Sequence, residues 1–410
     1  MVMSCVVSSR RSNAVALFHP EYVEDVLLTN QQSYRRWNFD EVREMTTVDF
    51  APEGLAFNGG EQWRKQRHFL QPMFGLDRLQ GYADGMVDHA DRMIETWNDE
   101  AEIALNRVFS ELSLAILTRS LFNLDVRERG DVVTQAADAL NEIGSFESVE
   151  LYLPSWLPIP GFNRFQTAMD AFDETVDELI TERRANPEGY DDLLARMLSE
   201  SGQGYTMPDS EIHDQMLTFL FAGHETTATT LTFASLLLAT HPEKHERLDA
   251  EIEDVLGDEP PSPGDLDDLT YTEKIVKETL RLYPPAAMLF RKPLEDVTIG
   301  GYDIPEGTTL LLPQFTIQTD ERWYDDPEAF RPERWTEENK DERPNYAYFP
   351  FGGGKYHCIG MRFAMMELKH VIPTVARRVN FELLSDPEPD VELGMTLKPT
   401  EDIRMRVHRR

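Results

Sequence analysis

The sequence predicts a mainly α-helical fold with small β-sheets at one side, built as a single domain over residues 1–410. Helical periodicity dominates from about residue 83 to residue 200, and further helices are predicted between residues 209 and 282. Short apolar runs bounded by Gly and Pro, which are typical of strands, occur near the start of the chain and again after residue 285. The 41% apolar content is enough for a sizeable core, and no repeat or long linker divides the chain.

The composition is strongly acidic, with 74 acidic residues against 40 basic ones and a net charge of −34. Contact with nucleic-acid phosphates needs a basic face, so the charge argues against nucleic-acid binding. The acidic residues are spread along the whole chain. Such a surface is typical of proteins from a salt-loaded cytoplasm, where ions screen the self-repulsion. We therefore expect a halophilic archaeal source; the alternative is an acidic mesophilic protein.

The chain contains two cysteines, Cys5 and Cys358. This number excludes a disulfide framework and the multi-cysteine zinc patterns, and it suits a reducing cytoplasm. No apolar run reaches 18 residues, so no membrane span is expected. The first residues have no signal-peptide pattern. These features predict a cytoplasmic protein.

The chain opens with a predicted hairpin over residues 5–18. A short helix follows over residues 22–28, with Pro20 and Glu21 at its start as helix N-termini prefer. Apolar periodicity predicts the next helices, at residues 61–74, 84–100, 103–122, 131–147, 165–185 and 190–199.

The predicted helix 61–74 carries an unusual basic cluster, residues 63–68. Trp63 and Arg67 are four residues apart and therefore share one face of the helix. An indole N–H and a guanidinium on one face could bind an anionic group such as a carboxylate. The alternative is an ordinary solvated basic helix.

The longest predicted helix covers residues 209–240. Its middle, 216–223, is apolar on every face, so the helix should run through the core. Glu225 and Thr226 follow, and polar groups inside a core helix are costly unless they are satisfied. With Gly223 they suggest a groove in which a carboxylate and a hydroxyl pass protons. Alternatively, Thr226 bonds to its own helix and Glu225 is satisfied internally.

Two more helices are predicted at residues 241–256 and 270–282. The second carries Glu278 and Arg281, which can pair at i and i+3. A buried strand over 286–290 then ends at Arg291. Further strands are predicted as a hairpin at 297–304 and as runs at 308–312, 381–384, 395–397 and 403–407, with an irregular polar segment over 319–345.

The segment Phe351–Gly360 has three consecutive glycines ahead of Cys358 and leads into a predicted helix. A sulfur at a helix N-terminus is favoured as thiolate by the partial positive charge there. Glycines allow the backbone to approach a flat ligand closely. The segment suits a thiolate that ligates a metal or haem iron; alternatively, Cys358 is a small buried apolar residue.

Taken together, these motifs resemble the cytochrome P450 family of haem-thiolate monooxygenases. The resemblance covers nearly the whole chain. Residues 222–227 look like the family's oxygen-activation segment, and 351–360 like its cysteine loop. Glu278 and Arg281 match its Glu-x-x-Arg motif, and Arg334 its meander arginine, so these three residues are expected to form the internal ion triad.

The resemblance implies a triangular helical prism around haem b, with Cys358 as the iron ligand. Glu225 and Thr226 would deliver protons for oxygen activation. The other residues expected to contact the haem are Trp63, Arg67, Ala222, Arg291, Phe351, Gly352, Tyr356, Ile359 and Gly360.

Two departures from the family pattern stand out. The family usually places Arg or His two residues before the cysteine, and Tyr356 stands there, preceded by Lys355 where proline is common. A phenol donates one hydrogen bond but carries no charge, so Tyr356 or Lys355 is expected to substitute in part. In addition, the family normally has a helix-containing segment ahead of the first hairpin, so the N-terminal region is expected to be shortened.

By this resemblance the protein is a monomeric monooxygenase that inserts one atom of O2 into a lipid-, isoprenoid- or steroid-like substrate. The pocket is expected to be lined from the 40–58 loop, Phe221, Ala222, residues 286–290 and 395–396. No flavin or iron–sulfur motif is present, so electrons should come from a ferredoxin-type donor and its reductase. We expect the donor to dock on a basic surface that includes Lys65 and Lys369. The alternatives are a peroxide-driven or O2-independent haem-thiolate enzyme, and a non-catalytic haem or lipid binder.

Overall fold

The structure is a computed structural model that describes residues 6–8, 13–37, 41, 51–143, 160–200, 204–336 and 343–410. Several predicted features therefore lie outside the described residues. They are Cys5 and the turn of the first hairpin, most of the 38–50 stretch, and residues 144–147 at the end of one predicted helix.

Helices dominate the described residues, as predicted. In chain order they are α1 (Pro20–Glu24), α2 (Gly60–Leu70), α3 (Leu76–Gln80), α4 (Ala83–Glu95), α5 (Leu105–Phe122), α6 (Val126–Ile143), α7 (Pro160–Ala185), α8 (Leu193–Leu198), α9 (Asp209–Thr240), α10 (Pro242–Val255), α11 (Thr270–Leu282), α12 (Gln314–Gln318) and α13 (Met361–Arg378). No helix among the described residues combines the length and apolarity that crossing a bilayer requires.

The strands form small sheets. They are β1 (Val6–Ser8), β2 (Asn13–Ala16), β3 (Tyr34–Arg36), β4 (Glu102–Ala104), β5 (Met288–Pro293), β6 (Val297–Ile299), β7 (Tyr302–Ile304), β8 (Thr309–Pro313), β9 (Val379–Leu383), β10 (Val391–Leu393), β11 (Leu397–Pro399) and β12 (Arg404–Arg409). The largest sheet has the order β1-β2-β8-β5-β3, and β4-β12-β9 form a second sheet. The remaining strands pair as the hairpins β6-β7 and β10-β11.

The ends of two helices agree with the sequence prediction. Helix α9 begins directly after Pro208 with Asp209 and Glu211 in its first turn, and it stops before His241-Pro242. Proline tends to begin or end a helix, and acidic residues near the N-terminus complement the helix dipole. Helix α11 likewise covers residues 270–282 as predicted.

Five short elements were not predicted: β3, α3, β4, α12 and β10. Each is three to five residues long. Such segments are too short to show a period, and a strand forms only when its partner is in place. For β3 the partner is β5, about 255 residues later in the chain; this pairing matters for the site.

Helix α9 runs through the core, as its apolar middle predicts. From residue 227 to residue 238 every side chain is buried. Its main neighbour is α5, and the contact is close at Gly223, where a Cβ would lie 2.7 Å from Leu117 Cδ1. The helix continues unbroken through Gly223, so this glycine allows the approach of two helices and is not a break.

Candidate active site

A cavity of about 330 Å³ lies between α9 and the segment before α13. Most of its lining is apolar, but several basic side chains and the cysteine also reach it. The predicted site residues that line it are Trp63, Arg67, Ala222, Thr226, Arg291, Phe351, Gly352, Tyr356, Cys358, Ile359 and Gly360. The structure therefore gathers residues that are up to 297 positions apart in sequence around one space.

The cysteine segment is held by its backbone. The Cys358 N–H donates to the Phe351 carbonyl at 3.0 Å, which closes the loop. Gly352 has φ +72°, and Gly354 has φ +61° with no room for a Cβ, which would lie 1.7 Å from the Leu27 carbonyl oxygen. Both positions favour glycine because left-handed backbone is costly for other residues. The loop thus presents Cys358 just ahead of α13.

The Cys358 side chain is accessible within the cavity but is surrounded by protein. Desolvation raises the pKa of its thiol. The backbone N–H groups of Gly360 and Met361 and the charges of Arg67 and Arg36 act in the opposite direction. Burial therefore favours the neutral thiol overall, while these N–H groups and arginines reduce the cost of the anionic form, which is the form that ligates a metal.

Helix α2 brings Trp63 and Arg67 to this loop on one face, as their spacing predicts. The Trp63 and Tyr356 rings meet edge to face with centroids 4.5 Å apart. Arg67 Nη1 donates to the His357 carbonyl at 2.9 Å. Burial lowers the pKa of Arg67, and Arg67 has no acidic partner among the described residues.

A further arginine, Arg36, lies at the site and was not predicted from the sequence. Strands β3 and β5 run antiparallel, and their register places Arg36 directly opposite Arg291. Both line the cavity. Arg36 donates to the Leu55 carbonyl at 3.0 Å and Arg291 to the Phe290 carbonyl at 2.8 Å. Within the described part of the chain, neither guanidinium meets a carboxylate.

This pair is electrostatically unusual. Desolvation, with Arg67 nearby, lowers the pKa of Arg36 to about 10, and desolvation followed by repulsion from Arg36 lowers that of Arg291 to about 9. The next pair in the same register, Arg35 and Lys292, shares the carboxylate of Glu41. This contrast indicates that Arg36 and Arg291 bind an anionic ligand, because like charges opposite each other on a sheet are destabilising.

Tyr356 stands where the family pattern has a charged residue, and its ring is surrounded by cations. The guanidinium carbons of Arg36 and Arg291 lie 5.1 and 5.4 Å from the ring centroid, and Lys355 Nζ lies 4.9 Å from it. Such distances allow cation–π attraction. Tyr356 therefore holds the arginines by its ring, and Arg36 supplies a charge near the position where the family pattern has one.

Helix α9 contributes Ala222, Gly223 and Thr226 to the cavity. The Thr226 hydroxyl donates to the Ala222 carbonyl at 2.9 Å, which is the internal bond considered as an alternative from sequence. Glu225 does not line this cavity and instead lines another one on the far side of α9. The expected acid–hydroxyl pair is thus divided between two faces of the helix.

The three residues of the expected ion triad meet away from the cavity. Arg281 and Arg334 both donate to the fully buried Glu278, at 2.9 and 2.7 Å. Trp335 Nε1 adds a hydrogen bond of 2.9 Å to the same carboxylate. These bonds tie α11 to the segment that precedes the cysteine loop.

Some expected residues lie elsewhere. Phe221, Met395 and Thr396 are outside the cavity lining, whereas Leu55, Ala56, Ala286 and Leu289 are part of it. Lys369 is buried and pairs with Glu273 at 3.0 Å, so it is not on a docking surface. That expectation was wrong because α13 turns this residue inward, against α11.

These features define a class of protein. A cysteine, a largely apolar cavity and three arginines that have no acidic partner among the described residues fit a flat, dianionic, iron-containing macrocycle held by one cysteine. Haem has this chemistry, with two propionates for the arginines and an iron for the sulfur. The residues present therefore fit a haem-thiolate protein.

Comparison with known proteins agrees. The family model described as Cytochrome P450 matches residues 3–407. The chain is 33% identical over 375 residues to a cyclooctat-9-en-7-ol 5-monooxygenase of Streptomyces melanosporofaciens, which covers 90% of this chain and 80% of the relative. It is 34% identical over 380 residues to a pentalenene oxygenase of Streptomyces avermitilis, with 91% and 82% covered.

A solved structure, titled as the crystal structure of the cytochrome P450DA heme domain, superposes with a TM-score of 0.85 at 25% identity. The match covers 99% of this chain and 88% of that one. The chain belongs to the cytochrome P450 family, and its fold is the mainly α fold of that family. Members bind haem through a cysteine thiolate, act on apolar substrates with O2, and are monooxygenases that take electrons from a redox partner.

Proposed function

We propose that Cys358 is the haem ligand of this chain and that Arg36, Arg67 and Arg291 hold the propionates, with Trp63 and Tyr356 packed against them. The observation that carries this proposal is the facing pair Arg36 and Arg291, which has no carboxylate beside it in the described residues. When bound, haem supplies the reductive activation of O2 that puts one oxygen atom into the substrate. The ion triad of Glu278, Arg281 and Arg334 has a structural role.

The chain's own contributions are binding and proton supply. Thr226 keeps its hydroxyl at the cavity wall by donating to the Ala222 carbonyl, and the hydroxyl oxygen can still accept a hydrogen bond. Glu225, the adjacent residue, is the carboxylate that supplies protons to this hydroxyl. Leu55, Ala56, Ala286 and Leu289 line the cavity with apolar surface and would exclude water from the bound substrate.

The proposed substrate is a terpenoid. Two observations support this choice over a fatty acid or a steroid. The cavity lining is mainly aliphatic and aromatic, and among the described residues it contains no carboxylate and no arginine or lysine other than the arginines assigned to the haem. The relatives reported above are named for cyclooctat-9-en-7-ol and for pentalenene, which supports a cyclic isoprenoid.

The test is spectroscopic. The reduced, haem-loaded protein with carbon monoxide should show the strongly red-shifted Soret band of thiolate ligation, and Cys358→Ser should lose it. Titration with cyclic terpenes should then shift the ferric spin state, whereas long-chain fatty acids should not. A wild-type spectrum without the red-shifted band would refute the haem-thiolate site. A spin shift with fatty acids alone would refute only the substrate class.

We also propose a ferredoxin-type electron donor that docks beside the cysteine segment. Arg64 and Arg362 are exposed and have no acidic partner in the part of the chain that the structure describes, whereas Lys65 pairs with Glu61 at 3.0 Å. The double variant Arg64→Glu with Arg362→Glu should slow the first electron transfer by at least tenfold at low salt, because rim charges control association. Lys65→Glu serves as the control with a weaker effect, and equal rates in all variants would place docking elsewhere.

The acidic composition supports a salt-rich cytoplasm of a halophilic archaeon as the setting. A reduced Cys358 is consistent with that compartment. We propose that the protein acts there as a monomer. Sedimentation in concentrated KCl tests the monomer, and a stable dimer would contradict it.

A further inference from the structure

A second cavity, of about 470 Å³, lies on the side of α9 that faces away from the candidate haem site. It is walled by α5, α6, α9 and the β10-β11 hairpin. Unlike the haem cavity, it is lined mainly by polar side chains, namely Asn106, Arg107, Ser110, Glu111, Thr134, Asp138, Glu225, Thr229, Thr232, Glu392, Lys398 and Thr400. A space of this size with such walls holds water.

Helix α9 is the partition between the two cavities. Residues 222, 223, 226, 227 and 230 line the haem side, and residues 225, 228, 229 and 232 line the polar side. The spacing within each set is that of one face of an α-helix. Glu225 and Thr226 are neighbours about 100° apart around the axis, as the 3.6-residue turn requires. A proton held at Glu225 therefore needs to pass one edge of the helix to reach Thr226.

Asp138 reaches the same polar cavity from the opposite wall, on α6. Its side chain is exposed to this space. Partial burial, followed by the charge of Glu225, raises the pKa of Asp138, while His224 acts in the opposite direction. His224 Nε2 lies 3.7 Å from Glu225 Oε2. Asp138, His224 and Glu225 thus form one electrostatically coupled group.

The cations at the cavity wall are paired with acids other than Asp138. Arg107 pairs with Asp402 at 2.8 Å, and Lys398 pairs with Glu392 at 3.0 Å. Neither is therefore positioned to fix Asp138 in a permanent ion pair, which would prevent it from exchanging protons. The remaining acid at the wall, Glu111, stands on α5.

We propose that the polar cavity is the route by which protons enter the protein for oxygen activation, and that Asp138 is the acid that relays them to Glu225. This inference rests on the proposed monooxygenase function and extends it to the supply side. Monooxygenation of a substrate RH by O2 consumes two electrons and two protons and gives ROH and H2O. Water in the cavity replaces each proton that Asp138 passes on, and Glu225 and Thr226 complete the path across α9.

The same product chemistry with hydrogen peroxide gives a discriminating test. The reaction of RH with H2O2 gives ROH and H2O without net uptake of protons or electrons. A variant that is defective only in proton supply should therefore lose the O2-driven reaction and keep the peroxide-driven one. A variant with a structural defect should lose both.

The variant is Asp138→Asn in the haem-loaded protein, with Asp138→Glu as the conservative form. Glu111→Gln is the matched control, because it removes one acid from the same cavity wall. For Asp138→Asn we expect O2-driven product formation to fall about tenfold, less than the 10²–10⁴ typical of a direct acid–base group. Its solvent isotope effect in D2O should increase, and its peroxide-driven rate and carbon-monoxide spectrum should be unchanged. Asp138→Glu should restore most of the rate, and Glu111→Gln should match the wild type.

Equal O2-driven rates and isotope effects in Asp138→Asn and the wild type would overturn the proposal, and so would equal loss of the O2-driven and peroxide-driven reactions. Failure of the function proposed above would give a different result, because the wild type would then form no terpenoid product with O2 or with peroxide. Release of H2O2 from O2 also takes up two protons per molecule. If the wild type releases H2O2 and forms no terpenoid product, the terpenoid assignment is refuted. The rate of H2O2 release is then the quantity compared between Asp138→Asn and the wild type.

Discussion

Arg36 is the residue on which the interpretation of the cavity depends most. It lies opposite Arg291 with 5.1 and 5.4 Å separating the two guanidinium carbons from the Tyr356 ring. A buried guanidinium group beside a partly buried one is unfavourable unless an anion joins them. Their neighbours Arg35 and Lys292 show how this sheet neutralises a cationic pair when no ligand is involved, because those two share Glu41.

We predict that Arg36→Gln loses haem about 10- to 100-fold faster than the wild type, since a hydrogen bond to a charged group contributes roughly 1.5–3 kcal/mol. The measurement is haem transfer to excess apomyoglobin. Arg35→Gln is the matched control, because it removes a cation from the same strand but on the face that meets Glu41. Equal rates of haem loss in the two variants would contradict the assignment of Arg36.

Glu367 is a second residue with a measurable consequence. It is 1% exposed, its Oε1 has no hydrogen-bond partner, and it has no cationic partner among the described residues. Burial raises its pKa to about 8, with a small opposing effect of Ser113. A carboxyl with a raised pKa is protonated in the folded protein while the unfolded chain ionises, so the free energy of unfolding falls as pH rises from about 4.5 to about 8.

Glu367→Gln should remove this pH dependence. Relative to the wild type, the variant should gain a few kcal/mol of stability between pH 5 and pH 8.5, at roughly 1.4 kcal/mol per pKa unit. Urea unfolding of the haem-loaded proteins at the two pH values measures the difference. The exposed Glu95→Gln controls for the loss of one negative charge, and a constant difference between wild type and Glu367→Gln would show that Glu367 is ionised when folded.

For single residues, the sequence predicts site residues that belong to a recognisable local pattern and does not predict those that lie outside one. Cys358, Trp63 and Arg67 were predicted because each belongs to a local pattern, and all three line the cavity. Arg36 was missed because nothing in the local sequence Tyr34–Arg36 marks it as facing a site. Its position follows from pairing with β5, and such long-range register is fixed by the folded sheet and not by local periodicity.

At the scale of elements, the ends of α9 could be predicted from the sequence, but the direction of its faces could not. Its ends were predicted correctly, and they agree with Pro208, the acidic first turn and Pro242 in the sequence. The face on which Glu225 lies was not predicted, because both sides of the helix are buried and apolar periodicity gives no direction. The position of α5 against Gly223 likewise follows from tertiary packing.

That packing gives a prediction for glycines in two helices. Gly223→Ala would place a methyl 2.7 Å from Leu117 Cδ1, whereas a Cβ at Gly85 in α4 meets nothing within 4 Å. Overpacking costs roughly 1–3 kcal/mol, and alanine gains about 1 kcal/mol over glycine in a helix. We therefore expect Gly85→Ala to stabilise the protein by about 0.5–1 kcal/mol and Gly223→Ala to destabilise it by about 1 kcal/mol.

Thermal melts measure both variants, and a double-mutant cycle locates the cause. Shortening the neighbour in Leu117→Ala should make the Gly223→Ala change favourable, because the methyl then enters the vacated space. An unfavourable Gly223→Ala in the Leu117→Ala background would show that the cost arises within the backbone of α9 and not from contact with α5.

At the scale of the whole molecule, the order of the motifs was enough to predict the fold class, because the family model matches residues 3–407. The surface charge was equally evident, since 74 acidic and 40 basic residues cannot all be paired. Composition gives the size of this imbalance but not its location. Among the described residues only six acidic side chains are buried, namely Glu41, Asp192, Glu211, Glu225, Glu278 and Glu367, so most of the acid of the described residues lies on the surface.

That excess predicts how stability depends on salt. The Debye length falls from about 10 Å at 0.1 M salt to about 3 Å at 1 M, so added KCl screens repulsion among surface carboxylates that are not in contact. Exposed ion pairs such as Lys65 with Glu61 weaken at the same time, but each contributes only about 0–1 kcal/mol. With a net charge of −34, the relief of repulsion should exceed these losses. The melting temperature should therefore rise from 0.1 to 1 M KCl and rise less steeply above that, because most screening is then complete.

Sucrose of equal osmolality should give a smaller increase, since it screens nothing. A melting temperature that falls with KCl would mean that the surface pairs outweigh the net charge, and would argue against adaptation to a salt-rich cytoplasm.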